Sequence, residues 1–311
     1  MKKKLIVLTG PTAVGKTDLS IKLCKKINGE VISADSMQVY KRMDIGSAKI
    51  SEEEKDSVTH HLIDCLEPSE DFNVFLFQKM AKEALSKIYN ANHIPVLVGG
   101  TGFYIQALLY DIDFKEEPEN DIRLKYEKLA EDRGELYIYD LLCQKDPEYA
   151  QSLHPNNIRK VIRALEYIEI NNSKFSVHNS TQRQKESEYD FRYFVLNDNR
   201  QNIYDNIDKR VDLMIQKGLV DEVSALKSEG LNKNNISMQG LGYKEILDYL
   251  DNKCSLQEAV DTIKLQTRHF AKRQLTWFRR ERDVIWINKP DFDYDKDRIL
   301  DYMMEKIYDR Q

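Results

Sequence analysis

Cysteine is scarce and scattered. The chain has four, Cys24, Cys65, Cys143 and Cys254, with no Cys-x-x-Cys pair and no histidine at zinc spacing, so neither a disulfide framework nor a zinc module is expected. No stretch approaches the run of about 18 apolar residues that a membrane-spanning helix needs. The opening MKKKLIVLTG couples a basic start to an apolar run too short for a secretory signal, and it reads as a first strand. The expectation is a cytoplasmic protein without a membrane partner. Positive charge is in deficit as well: 47 Lys and Arg against 52 Asp and Glu leave a net charge of −5, which taken alone argues against a nucleic-acid partner. Internal repeats and long low-complexity tracts are missing, so solenoids and disordered linkers are excluded.

What is present is an alternation. Short β-branched runs at 4–10 (KLIVLTG), 30–35 (EVISAD), 59–65 (THHLIDC) and 94–100 (IPVLVGG) read as strands buried on both faces, each followed by a helical stretch. Two more, at 191–196 (FRYFVL) and 283–288 (DVIWIN), complete the same sheet. The predicted fold class is α/β, a P-loop-type parallel sheet flanked by helices. Strands vanish and charge rises from about 115, where an acidic, proline-containing connector leads into helical spacing. The predicted organisation is therefore a core of residues 1–114 and 191–311 interrupted by a mainly helical insertion, 115–190. His60 and His61, adjacent in a strand, point to opposite faces and cannot share a metal, so both are expected to be structural.

The segment Gly10, Pro11, Thr12, Ala13, Val14, Gly15, Lys16, Thr17 matches G-x-x-x-x-G-K-[ST] between a strand and a helix. Successive backbone N–H groups and the helix N-terminus face an anion, Lys16 adds a point charge, and the Thr17 hydroxyl can ligate Mg²⁺. A polyphosphate is the expected ligand. A nucleoside-triphosphatase would add an apolar strand ending in a magnesium-binding aspartate. Here the fourth strand ends in Gly99-Gly100-Thr101-Gly102, and the carboxylate, Asp35, stands at the end of the second. Asp35 near the loop suits a general base; as an aspartate following a strand it equally suits a helix N-cap at Ser36.

At this point the sequence resembles the tRNA dimethylallyltransferases, also called isopentenyl-tRNA transferases. The resemblance rests on GPTAVGKT (10–17), ADSMQVYKRMDIGSAK (34–49), HHLID (60–64), LVGGTGFY (97–104), RKVIRALE (159–166), GLGYKE (240–245) and RHFAKRQLTWFRR (268–280), in family order over most of the chain. Arg42 and Ser47 depart from the family's usual glycine and threonine.

The resemblance implies transfer of a dimethylallyl group from dimethylallyl diphosphate to N6 of adenosine 37, beside the tRNA anticodon. Lys16, the loop amides and Mg²⁺ on Thr17 would face the leaving diphosphate, Thr101 would bond a bridging oxygen, and Asp35 would take the proton from the amine. It further implies that Ser36, Met37 and Gln38 meet the target adenosine and its neighbours, flipped out of the stack. By the same resemblance Arg159 and Arg163, with Arg123, lie near the anticodon loop or the bound diphosphate; Arg123 is counted also among the catalytic residues, and Lys160 among those that contact tRNA.

The segment 267–283 carries six basic residues against two acidic ones. On a helical projection Arg268, Lys272 and Arg279 form one stripe with His269, Arg273 and Arg280 beside it, while Phe270 and Trp277 fall opposite, next to Phe278, toward the core. Such a face suits phosphate backbone, though a solvated amphipathic helix has the same pattern; with the resemblance, Lys272, Arg273, Gln274, Trp277 and Arg279 are expected to touch tRNA. Gln239, Gly240, Gly242, Tyr243 and Lys244 are read either as a helix-start turn or as another tRNA-contacting segment. The expected partners are the tRNA anticodon stem-loop and dimethylallyl diphosphate, the expected cofactor is Mg²⁺, and a monomer is anticipated. A small-molecule kinase sharing the loop, and an isopentenyltransferase acting on free adenine nucleotides, are the alternatives. Neither needs a basic C-terminal helix.

Overall fold

The computed structural model describes residues 2–113 and 121–309. Of the acidic connector EEPEND (116–121), all but Asp121 lies outside the described residues. Two compact units emerge, Met1–Leu109 with Glu188–Gln311, and Tyr110–Ser187.

In the first unit β1 (Lys3–Thr9) leads through the phosphate loop into α1 (Lys16–Ile27), followed by β2 (Gly29–Ser33), the single turn α2 (Glu52–Lys55), β3 (His60–His61), α3 (Val74–Asn90), β4 (Ile94–Gly99) and α4 (Gly102–Leu109). Among the described residues these strands, with β5 (Tyr189–Asn197) and β6 (Val284–Asn288) from far along the chain, form one six-stranded parallel sheet of order β3-β2-β4-β1-β5-β6. Leu5, Ile6, Val7 and Leu8 are wholly buried, as a central parallel strand covered on both faces requires. The predicted third strand shrinks to His60–His61, because the chain turns left-handed at Leu62 (φ 63°) and Asp64 (φ 54°). His61 Nε2 bonds Glu30 at 2.6 Å, and His93 Nδ1 bonds the other oxygen of the same carboxylate. His60 Nδ1 bonds the Val58 carbonyl at 2.8 Å. Both adjacent histidines thus serve the sheet edge.

The second unit comprises α5 (Ile122–Arg133), α6 (Glu135–Lys145), α7 (Pro147–Gln151), α8 (Ile158–Asn171) and α9 (Phe175–Gln184). Its core gathers Tyr126, Ile138, Leu142, Val161, Ile162 and Leu165. On α8 these apolar positions recur at helical spacing and leave Arg159, Lys160 and Arg163 exposed.

The chain then re-enters the sheet as β5 (Tyr189–Asn197) and continues through α10 (Arg200–Gln216), α11 (Leu219–Ser228), α12 (Tyr243–Leu250), α13 (Leu256–Phe278), β6 (Val284–Asn288) and α14 (Lys296–Tyr308). A capping box starts α13: Ser255 Oγ accepts from Glu258 N, and Glu258 Oε2 accepts from Ser255 N.

Candidate active site

Strand order decides where the site lies. Because β4 sits between β1 and β2, the segments leaving those three strands, 10–15, 34–38 and 100–101, are neighbours at the carboxyl end of the sheet. Thr9 Oγ1 donates to Gly99 O at 2.7 Å and Ala34 N to Val98 O at 2.7 Å, which locks the three strand ends together. The approach is tight enough that a Cβ on Gly99 would stand 2.3 Å from the Ala34 carbonyl oxygen. The glycines of this strand end are therefore explained by contact distance.

The phosphate loop has the required form. Gly10 presses against β5, where a Cβ would meet Leu196 O at 2.2 Å, and Gly15 is left-handed (φ 97°) at the N-cap of α1. Lys16 Nζ folds back to donate to Gly10 O at 3.0 Å and Pro11 O at 2.9 Å. Desolvation lowers its pKa to about 7, Arg210 pushes the same way, and Asp35 opposes. Thr17 follows, exposed in the first turn of α1.

Asp35 does not cap a helix, because the chain beyond β2 runs through turns until 49. Its Oδ1 instead accepts from Met37 N at 2.8 Å and Gln38 N at 3.3 Å, closing an Asx-type turn. No hydrogen bond to Oδ2 forms among the described residues, which leaves that oxygen as an acceptor for a proton.

A cleft of about 450 Å³ opens here. Its polar walls include Thr12, Asp35, Ser36, Thr101 and Arg210, and its apolar walls Phe72, Tyr104, Ile207, Val211, Met214, Ile263 and Phe270. Met37, Gln239, Gly240, Lys244, Arg273 and Gln274 also line it. Thr12 is the one member of the phosphate loop in this wall, since Lys16 is turned back onto its own loop. Thr101 leads into α4, its carbonyl accepting from Tyr104 N at 3.0 Å.

Arg210, not singled out from the sequence, is a further candidate in this site. It reaches Thr12 Oγ1 at 3.4 Å from α10, and burial lowers its pKa while Asp35 opposes. A signal existed: Ile203, Ile207 and Val211 form the buried stripe of α10, and Arg210, three residues after Ile207, stands on that stripe. An arginine on an apolar face needs an anion or a carboxylate.

Several residues expected at the RNA are held by internal hydrogen bonds. Gln274, 6% exposed, accepts from Thr12 N at 2.9 Å and donates to Gly100 O at 3.0 Å. Gln38 spends its amide on Ser33 Oγ, Ser47 O and Ala48 O at 3.2 to 3.5 Å. Tyr243 is wholly buried and donates to Glu222 Oε1 at 2.7 Å, and buried Gly242 caps α12 with its N–H on Glu245 at 2.9 Å. For Gly242 and Tyr243 the helix-start turn is the reading that fits.

The basic helix is also rearranged. It ends at Phe278, with Arg279 as C-cap, and its packed positions are Ala271, Gln274 and Phe278. Trp277 is 36% exposed and shares a shallow pocket with His269, Lys272, Arg273, Thr276 and Arg280, because it lies off the 271–274–278 row. Its indole covers Gly102, where a Cβ would come within 2.2 Å of Cδ1, and meets Phe103 edge-on at 6.2 Å. Arg268 leaves the cationic stripe altogether, pairing with Asp208 at 2.9 Å. Arg123, Arg159, Lys160 and Arg163 belong to the second unit, where Arg123 stands 3.9 Å from Glu127 and 4.0 Å from Glu166.

The family model described as IPP transferase matches residues 38–281. The chain belongs to that family. A model described as isopentenyl transferase matches residues 3–67, which contain the phosphate loop and Asp35. Among curated relatives, the tRNA dimethylallyltransferase of Lachnoclostridium phytofermentans is 56% identical over 94% of this chain and 93% of its own, and that of Alkaliphilus oremlandii is 49% identical over 94% of both. The solved tRNA isopentenylpyrophosphate transferase of Bacillus halodurans is 42% identical over 98% of this chain and 97% of its own, with a TM-score of 0.74. A eukaryotic dimethylallyltransferase described as acting on tRNA reaches a TM-score of 0.84 at 29% identity, over 99% of this chain and 80% of its own. As a member of the IPP transferase family the chain is a prenyltransferase, and its P-loop-type α/β fold is the fold of these enzymes.

Proposed function

We propose that this protein transfers a dimethylallyl group from dimethylallyl diphosphate to N6 of adenosine 37 beside the anticodon of tRNA, releasing diphosphate. The observation that carries the reading is the joining of two chemistries in one place: an anion-holding loop with Lys16 and Arg210, and Asp35 with Oδ2 unengaged among the described residues. A loop that grips two phosphates suffices for a diphosphate.

The chemistry follows from charge. As the allylic C–O bond breaks, positive charge spreads over the allyl group and negative charge grows on the departing oxygens. In this reading Lys16, once it leaves the Gly10 and Pro11 carbonyls, stabilises that negative charge together with Arg210 and the loop amides. The amine at N6 is a weak nucleophile because its lone pair is delocalised into the ring, so its proton must leave as the new C–N bond forms. Asp35 Oδ2 accepts it. Thr101, on the wall of the cleft, offers a neutral hydroxyl to the donor's bridging oxygen. The apolar walls suit the five-carbon group.

Mg²⁺ fits this donor set as an ion held by the substrate's phosphates, water and the Thr17 hydroxyl, since magnesium keeps several waters and needs few protein ligands. No group of three or more His, Cys, Asp or Glu able to hold a metal occurs among the described residues. Bound, the ion would neutralise charge on the diphosphate.

The anticodon stem-loop is the proposed partner, and the exposed cations offered to it on the first unit are Lys272, Arg273, Arg279 and Arg280; Arg159, Lys160 and Arg163 form an exposed basic face of the second unit. A cytoplasmic monomer is proposed; no described helix is long and apolar enough to cross a membrane. The deciding experiment incubates the protein with Mg²⁺, an unmodified anticodon stem-loop, and labelled dimethylallyl diphosphate or labelled ATP. Label on the RNA from the allylic donor supports the reading. Transfer from ATP, or prenylation of free AMP but not RNA, would overturn it.

A further inference from the structure

We propose that Glu222 is a positioning residue for this transfer, acting on Asp35 through the loop 44–48. Glu222 lies on α11 and does not itself line the cleft, yet its carboxylate gathers four donors. Asp44 N and Ile45 N donate to Oε2 at 2.9 and 2.7 Å, Gly46 N to Oε1 at 3.0 Å, and Tyr243 Oη to Oε1 at 2.7 Å. An ionised carboxylate accepts about four hydrogen bonds and donates none, so donor and acceptor counts match.

The grip continues to the site in short steps. Gly46 rests on the Tyr243 ring, where a Cβ would come within 2.6 Å of the ring carbons, so the loop is pressed onto a buried aromatic. Gly46, Ser47 and Ala48 then form part of the cleft wall. The carbonyls of Ser47 and Ala48 accept from Gln38 Nε2, and Gln38 N donates to Asp35 Oδ1. Displacing 44–46 thus shifts Gln38, and with it the turn that aims Asp35. The phosphate loop takes no part in this chain of contacts.

A glutamine at 222 keeps the shape but offers one acceptor oxygen, and its NH₂ would face amide donors. An aspartate falls one methylene short. The inference rests on the proposed function, and its test is arranged to separate the two. Three measurements are made well below the unfolding temperature: the single-turnover rate on the stem-loop RNA, the affinity for inorganic diphosphate, and amide hydrogen exchange over 43–48.

For Glu222→Gln the expected result is a rate lowered about 10- to 100-fold. Diphosphate affinity should stay within about threefold, because the loop amides and Lys16 that hold the anion are untouched. Exchange over 44–46 should lose its protection. Tyr243→Phe, which keeps the three amide bonds, is expected to lose less than about tenfold in rate, and it carries the test if Glu222→Gln does not fold. A Glu222→Gln rate within twofold of the unaltered protein would overturn the inference, as would a parallel collapse of diphosphate affinity, the mark of general loosening. If the unaltered protein transfers no label, the functional reading fails instead. Exchange then still judges the grip of Glu222 on the loop: unchanged protection in Glu222→Gln refutes it.

Discussion

The side chain of Gln274 ties Thr12 to Gly100: its oxygen accepts from Thr12 N at 2.9 Å, and its nitrogen donates to Gly100 O at 3.0 Å. One residue of α13 thereby fixes the spacing between the phosphate loop and the end of β4. Gln274→Met, of similar length and without polar atoms, leaves both backbone groups unpaired. An unsatisfied buried group costs roughly 1–3 kcal/mol, and solvent reaching half-buried Thr12 keeps the loss at the lower end. Urea denaturation should show a midpoint shift with unchanged slope, and calorimetry should show weaker diphosphate binding. Unaltered diphosphate affinity would mean that the loop holds its shape without the bridge.

Asp35→Asn separates the two jobs of Asp35. The amide oxygen can still accept from Met37 N and Gln38 N, so the turn survives, while the basic oxygen is lost. Loss of a positioned general base lowers the rate by about 10²- to 10⁴-fold, and that is the drop expected in single turnover with RNA affinity retained. Asp35→Ala removes the turn as well and should weaken RNA binding too. Equal RNA affinity in the two variants would argue that the turn is not what presents Ser36 and Met37 to the nucleotide.

The sheet was legible because burial on both faces writes β-branched runs into the sequence, as in Leu5 to Leu8, and because Gly10 to Thr17 is a motif with a fixed structural context. The parts that were not legible depend on residues far apart in the chain. Tyr243 and Gln274 look like any polar or aromatic residue of a tRNA-contacting segment until Glu222 and Thr12 are seen beside them. Helical projection placed Trp277 toward the core, but it is the neighbouring row, Ala271, Gln274 and Phe278, that packs there. Asp35 was ambiguous between cap and base since both call for the same residue after a strand, and only the turn that follows β2 rules out the helix.

Lys16 gives the protein a pH dependence whose sign is fixed. In the free fold burial, followed by Arg210, brings its pKa to about 7 against Asp35, whereas unfolded lysine titrates near about 10.4. The cost of burying the ammonium is therefore fully present below pH 7 and disappears as pH rises toward 10. Diphosphate binding works the other way, since the bound anion favours the charged form. At pH 8 the complex must take up a proton at Lys16, so affinity falls as pH rises above about 7. Calorimetry in buffers of different ionisation enthalpy should register this uptake as a difference between the unaltered protein and Lys16→Met, which cancels the protons of diphosphate itself. Identical uptake in both would show that Lys16 is already charged in the free protein.

The basic residues of α13 should divide by their partners. Arg268 pairs with Asp208 at 2.9 to 3.1 Å, which ties α13 to α10. Lys272 and Arg273 are exposed, and no ion pair engages either of them among the described residues. Each phosphate that a cation neutralises releases counterions, so the slope of log K against log[salt] records how many such contacts form, at about 0.7 to 0.9 per contact. Lys272→Ala and Arg273→Ala should each weaken stem-loop binding and flatten that slope by somewhat under one. Arg268→Ala should instead leave the slope unchanged and lower stability, by no more than about 1 kcal/mol because the pair is partly solvated. If Arg268→Ala flattens the slope as much as the other two, the ion pair opens when RNA binds and the whole stripe contacts phosphate.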